Sequence, residues 1–323
     1  MKASGRGRFR AAAALALMVA ACSPQDGQPG DGFILRAPPK AKDRAQSQAA
    51  APGPAAPLPP PGQAASDLGD QACHQGPLVN AARANAAQLR SLAWNPFGRP
   101  EVGWETYYRL IAREIGSSCP PDSPGFAAAL ARWQANNGLA QTGILDEAVF
   151  IQMKNKWQLK RPVVRAMRQG GCPPPPASHQ LATARPDESY GGKTIELRRG
   201  ALAAYRRMVQ AAKAEQPQIA RDPRNLTIFS GYRSPEYDAA RCARDQNCDG
   251  LVRARCSPHR TGLAMDIYVG QAPGYGPDSS ADPNRLYMSK TATYAWLTAN
   301  AHRFGFVNYP FEPWHWEWTG EAP

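Results

Sequence analysis

Phe126, Leu130 and Trp133 recur at the spacing that lines up apolar side chains on one face of a helix, and Asn137-Gly138 ends that pattern. After a turn at Thr142-Gly143, Asp146 is placed to cap a second helix whose inner face is Val149, Phe150 and Met153. Farther on, Leu197, Leu202, Tyr205, Val209 and Ala212 predict a helix over 197–215 that ends before Pro217. A late helix is predicted over 293–303, with Gly305 as its stop. Short strands are predicted at 226–229, 263–269 and 312–318. In the second of these, Ala264, Asp266 and Tyr268 face one way and Leu263, Met265, Ile267 and Val269 the other. In the third, His315 and Glu317 share a face opposite Trp314, Trp316 and Trp318. Helices mixed with short, non-repeating strands predict an α+β fold, with an antiparallel sheet and flanking helices in the last domain and a small all-α module before it.

Composition divides the chain. Residues 1–22 begin with Lys2, Arg6, Arg8 and Arg10 and continue into an apolar stretch too short for a permanent membrane span, which reads as an export signal. Residues 23–68 are dominated by Pro, Ala, Gly, Gln and Ser, and such a segment buries too little apolar surface to offset its ordering entropy, so a disordered tether is expected. A helical module is expected over 69–160, a second Pro-rich linker over 161–190 and the final domain over 191–323. With 43% apolar and 20% charged residues in 323, the chain has enough material for two modest cores.

The formal charge of +12 points to nucleic acid in a cytosolic protein, yet no Lys/Arg run interleaved with aromatics is present, and nucleic acid is excluded as a partner. An exported chain meets lipid head groups and wall polymers instead, and an Arg-rich solvated surface explains the charge equally well. Of seven cysteines, Cys22 ends the signal-like stretch and six remain, an even number in a compartment that permits disulfides. Six cysteines allow fifteen pairings. The preferred set is Cys73 with Cys119, Cys172 with Cys256 and Cys242 with Cys248. A zinc cluster of cysteines lacks any Cys-x-x-Cys spacing.

Candidate chemistry concentrates near the end. His259 and Asp266 flank the Thr261-Gly262 turn and form either a hairpin edge or two arms of a metal site. Among the five histidines, His74 and His179 lie in or beside linkers and His302 sits inside a helix, whereas His315 shares a strand face with Glu317. A His, Asp, His set plus water makes a four-coordinate zinc site with an open position. Glu312 is within reach as the base for that water. Glu317 is either a partner of the site or a solvated strand residue. Asp245, Asn247 and Asp249 imitate the start of a calcium loop, but its twelfth position is Cys256 rather than Glu.

Three stretches resemble the VanY-like zinc D-alanyl-D-alanine carboxypeptidases and their relatives, which include D,D-dipeptidases and L-alanyl-D-glutamate endopeptidases. Ser257, His259, Gly262, Ala264 and Asp266 match the pattern Ser-x-His-x-x-Gly-x-Ala-x-Asp, Glu312 and His315 match Glu-x-x-His, and Ser230 to Ser234 spell Ser-Gly-Tyr-Arg-Ser. The resemblance covers about 191–320 and implies a Hedgehog/D,D-peptidase-like catalytic fold. It also implies Zn2+ held by His259, Asp266 and His315, with Glu312 as general base. Arg233 would hold a substrate carbonyl or carboxylate, and Ser257 would hydrogen-bond the peptide, so peptidoglycan is the expected partner. The family's usual Gln is replaced by Asp238, which would repel a substrate's terminal carboxylate unless paired with a cation. An endopeptidase using the same residues and a non-catalytic, zinc-containing wall-binding scaffold are the alternatives. Residues 126–153 resemble the second half of a peptidoglycan-binding repeat, and Val19-Ala20-Ala21-Cys22 resembles a bacterial lipobox. The latter implies acylation at Cys22 and a periplasmic protein anchored to the outer or inner membrane, the outer being favoured by Ser23.

Overall fold

A computed structural model describes residues 72–246, 248 and 256–323, all within one compact unit, 60–323. The signal-like stretch with Cys22, the 23–68 tether and most of the calcium-loop imitation lie outside the described residues. Among the described residues no helix is long and apolar enough to cross a membrane.

The chain enters through α1 (Val79–Gln88) and a two-residue antiparallel ribbon of β1 (Ala93–Trp94) and β2 (Glu101–Val102), so the first module is not purely helical. Helices α2 (Tyr108–Glu114), α3 (Pro124–Asn136) and α4 (Glu147–Gln158) follow. Ser123 caps α3 by accepting from the Phe126 N–H at 3.2 Å, and Asp146 caps α4 through the Val149 N–H at 2.8 Å. Asn137 ends α3.

The segment expected as a linker over 161–190 is structured at both ends. It begins with α5 (Pro162–Gly170) and closes with β3 (Leu181–Thr183), which pairs with β4 (Glu196–Arg198). That pairing takes the first residues of the helix predicted from 197, so α6 runs Arg199–Glu215. After the short α7 (Pro217–Ala220), Leu226 sits in the left-handed region at φ 70°, and β5 (Ile228–Ser230) starts only beyond it. Then come α8 (Pro235–Arg244), β6 (Ala264–Ile267), α9 (Asp282–Ser289), α10 (Ala292–Asn300), β7 (Phe306–Tyr309) and β8 (Glu312–Trp318). Gly305, at φ 84°, stops the turn that follows α10.

The main sheet is antiparallel with order β5-β6-β8-β7. One face carries Met265, Ile267, Trp314 and Trp316 into a core shared with Leu202, Tyr205 and Met208 of α6 and Leu297 of α10. The opposite face is covered too, since β8 is buried from Pro313 to Glu317. The β7–β8 turn inserts Tyr309 and Phe311 into the aromatic core of the preceding helices, beside Phe97, Tyr107 and Phe150. Arg285, 1% exposed, ties the same junction by donating to the Phe311 carbonyl at 2.8 Å and pairing with Glu101 at 3.2 Å. The helices and the sheet thus share apolar contacts and buried charge pairs.

Disulfides join Cys73 to Cys119, Cys172 to Cys256 and Cys242 to Cys248, which is the preferred pairing. The first anchors the start of the helical segment, and the second ties the loop after α5 to the turn that carries His259.

Candidate active site

Ladder register brings the acidic and imidazole groups together. Asp266 on β6 lies directly opposite His315 on β8, and in an antiparallel pair opposed side chains project from the same face about 5 Å apart. The Asp266 carboxylate meets His315 Nδ1 at 2.8 Å through Oδ1 and His259 Nε2 at 3.1 Å through Oδ2. One donor atom from each of His259, Asp266 and His315 falls within 4.8 Å of the others, and all three residues are buried.

His259 arrives from a 3-10 turn, Pro258–Thr261, capped by Ser257 and closed by Gly262 in the left-handed region at φ 69°. A side chain at Gly262 would also press on Arg198 and Leu181, at 3.1 and 3.2 Å, so glycine is demanded twice over. The other nitrogen of His259, Nδ1, lies 2.7 Å from the Gly231 carbonyl. As that carbonyl can only accept, Nδ1 carries the proton and Nε2 presents its lone pair towards Asp266.

Electrostatics separate the groups by role. Burial, with the nearby Arg233 charge, holds His259 below the usual histidine range, so its ring is neutral. Burial also opposes a charge on His315, but hydrogen bonds to Asp266 and Glu317 outweigh it and raise the ring to about 9. A cation entering between these groups therefore displaces a proton. Burial raises Asp266, yet the charged His315 ring, hydrogen-bonded to it through Nδ1, outweighs this and holds its carboxyl well below the usual range. Glu312, at the start of β8, has its carboxylate 4.0 Å from His315 Nδ1. Its side chain is 13% exposed. Burial pushes it up to about 7; the His315 charge opposes that rise and the Asp266 charge adds to it.

Arg233 fans out along one side. It donates through Nη1 to Ser230 Oγ at 2.8 Å, through Nη2 to Ser257 Oγ at 2.8 Å and through Nε to Asp238 Oδ1 at 2.9 Å. The cation that Asp238 required is thus Arg233 itself. Asp238 is 3% exposed and its second oxygen has no hydrogen-bond partner. Ser257 Oγ also accepts from the His259 N–H at 3.3 Å, which leaves its own proton available to a ligand.

Glu317 is not a solvated strand residue. Fully buried on the His315 face, it lies 3.4 Å from His315 Nε2 and accepts from Arg161 Nε at 2.5 Å and from the Val163 N–H at 3.2 Å. Burial raises its carboxyl, but the Arg161 charge prevails and brings it down to about 2. Arg161 escaped the sequence reasoning, and Ser230 and Gly231 were given no role of their own there. Ser230 and Gly231 lie inside the Ser-Gly-Tyr-Arg-Ser stretch and were legible as part of it, whereas nothing local to Arg161 signals a partner 156 positions away. A groove of about 520 Å³, lined by Arg221, Arg224, Tyr268 and Tyr287 among others, opens beyond β6 and includes none of these site residues.

A family model described as VanY, D-alanyl-D-alanine carboxypeptidase, matches residues 194–321, the segment that carries the whole cluster except Arg161 and Val163. Among solved structures, the chain is similar to a mutant of the vancomycin-resistance D,D-pentapeptidase VanY from the VanB-type resistance cassette in complex with Zn(II). The identity is 22%, the match covers 46% of this chain and 83% of that one, and the TM-score is 0.27. No curated protein matches the chain. The family match is thus confined to the C-terminal part of the chain.

Proposed function

We propose that this domain is a zinc-dependent D-alanyl-D-alanine carboxypeptidase that removes the terminal D-alanine from peptidoglycan stem peptides. The observation that carries the reading is the convergence of His259, Asp266 and His315 within 4.8 Å, inside the family-matched segment. Two imidazoles and a carboxylate are a donor set suited to zinc, and the tied Nδ1 of His259 leaves its Nε2 lone pair free for a metal. Bound zinc supplies a Lewis acid that polarises a carbonyl and brings a coordinated water to a pKa of about 7.

The protein's own groups supply the rest. Glu312, with its carboxyl near 7, takes a proton from water at neutral pH and returns it to the departing amine. Arg233 offers the N–H groups left over from Ser230, Ser257 and Asp238 to the substrate's carbonyl or carboxylate oxygen. Ser257 adds the proton of its hydroxyl.

The test is release of D-alanine from a purified pentapeptide. Wild type is expected to release it, a chelator to abolish release, and Glu312→Gln to lose about 10²–10⁴-fold in rate while still binding zinc. Full activity in Glu312→Gln would remove the proposed base. One observation favours a second reading, cleavage inside the stem or cross-link. Asp238 offsets the Arg233 charge that a terminal carboxylate would need. Mass spectrometry of digested wall fragments separates the two, since only the carboxypeptidase yields free D-alanine.

A further inference from the structure

We propose that Arg161, which lies outside the matched domain at the junction of α4 and α5, is a positioning residue for His315, acting through the Glu317 carboxylate. The inference rests on the zinc reading above, because the orientation it protects is that of a metal ligand.

The two nitrogens of His315 face different groups. Nδ1 points to Asp266 and the donor cluster, and Nε2 to Glu317. A ligating imidazole is held in its working orientation and tautomer when its other nitrogen donates to a carboxylate. Glu317 can play that part only as an anion, and a lone anion at 0% exposure is costly. The balance comes from before the matched domain. Arg161 Nε and the Val163 N–H, at the start of α5, hold the two carboxylate oxygens.

Arg161 is fixed in turn. Its Nη1 donates to Gln158 Oε1 at 2.6 Å, its guanidinium lies 4.3 Å from the Tyr309 ring centroid, and the residue is 6% exposed. Across the ladder from Glu317 stands Ala264, whose small side chain leaves room for the carboxylate on that face. The chain of contacts Gln158, Arg161, Glu317, His315 therefore runs from the helical segment to the candidate metal centre without crossing solvent. An ion pair that merely joined the helices to the sheet would not require its carboxylate to reach the imidazole.

The experiment uses the full chain, stripped of metal and titrated with zinc against a chromophoric chelator, for wild type, Arg161→Met, Glu317→Gln and the double variant. Each single change is expected to weaken zinc binding about 10–100-fold. The double variant is expected to bind no more weakly than Glu317→Gln, because the arginine acts through that carboxylate. The visible absorption of the cobalt-loaded protein is expected to change in Arg161→Met, which a purely structural tie would leave alone. Zinc affinity in Arg161→Met within about twofold of wild type overturns the proposal, as do losses that multiply in the double variant. If Arg161→Met fails to fold, the charge-balanced double variant is compared with Glu317→Gln, and a further tenfold loss overturns it equally. Wild type that takes up no zinc fails the zinc reading itself, whereas wild type that binds zinc no better than Arg161→Met fails only the relay.

Discussion

Phe311 is the side chain through which the sheet's β7–β8 turn enters the helical core, and its truncation measures how firmly the two are joined. It is 1% exposed, stands 5.2 Å from the Phe97 ring and 6.0 Å from Tyr309, and carries the Arg285 and Arg99 guanidinium groups at 4.2 and 4.8 Å from its ring centroid. Phe311→Ala removes a ring with nothing to refill the space, at a cost of about 3–5 kcal/mol, the upper part of the range being favoured by the lost aromatic and cation–π contacts. That is a large share of a total stability of about 5–15 kcal/mol. At roughly 2–4 °C per kcal/mol for a chain of this size, melting should fall by about 6–20 °C. Urea unfolding followed by circular dichroism and by tryptophan fluorescence is the assay. Because the helices and the sheet share this core, both probes should report the same transition, displaced together. A loss below about 1 kcal/mol, or two transitions of which only one moves, would refute the shared-core reasoning.

Two further expectations follow from the charges. Burial raises the Glu188 carboxyl, but Arg206 and Arg185 outweigh it and the net value is lowered, so its contribution to stability is present above the unfolded carboxylate pKa and is lost as pH falls through the folded one. Thermal melts from pH 7 down to about 3 should show Glu188→Gln with a shallower acid decline than wild type, and an unchanged slope would count against the pair. Arg233→Lys keeps the charge but loses the planar fork that spans Ser230, Ser257 and Asp238 with donors to spare, so kcat/KM on a D-alanyl-D-alanine peptide should drop about 10²-fold with zinc affinity retained. Near-wild-type turnover in that variant would dismiss the fork as a substrate contact.

Strand alternation made the meeting of Asp266 and His315 legible, because two short period-two stretches in a small antiparallel sheet have few registers that bury Trp314 and Trp316. The turn that delivers His259 was legible from Thr261-Gly262. What alternation withheld was whether the polar face is wet. It placed Glu317 beside His315 but said nothing of the helices that cover both, since coverage depends on contacts between residues 156 apart in sequence. The proline-rich 161–190 stretch misled for a related reason. Pro162 starts a helix as readily as it breaks one, its fixed φ suiting the first turn, and the Arg161–Glu317 pair, the Cys172–Cys256 disulfide and the β3–β4 ladder show that the segment is anchored.

The account depends most on His259, Asp266 and His315 sharing a metal ion. The direct measurement is zinc titration of the metal-free full chain beside His259→Ala and Asp266→Ala, each checked for folding by circular dichroism. A single tight zinc ion in wild type, weakened by several orders of magnitude in both folded variants, is the predicted result. Zinc bound equally well by wild type and variants would contradict it.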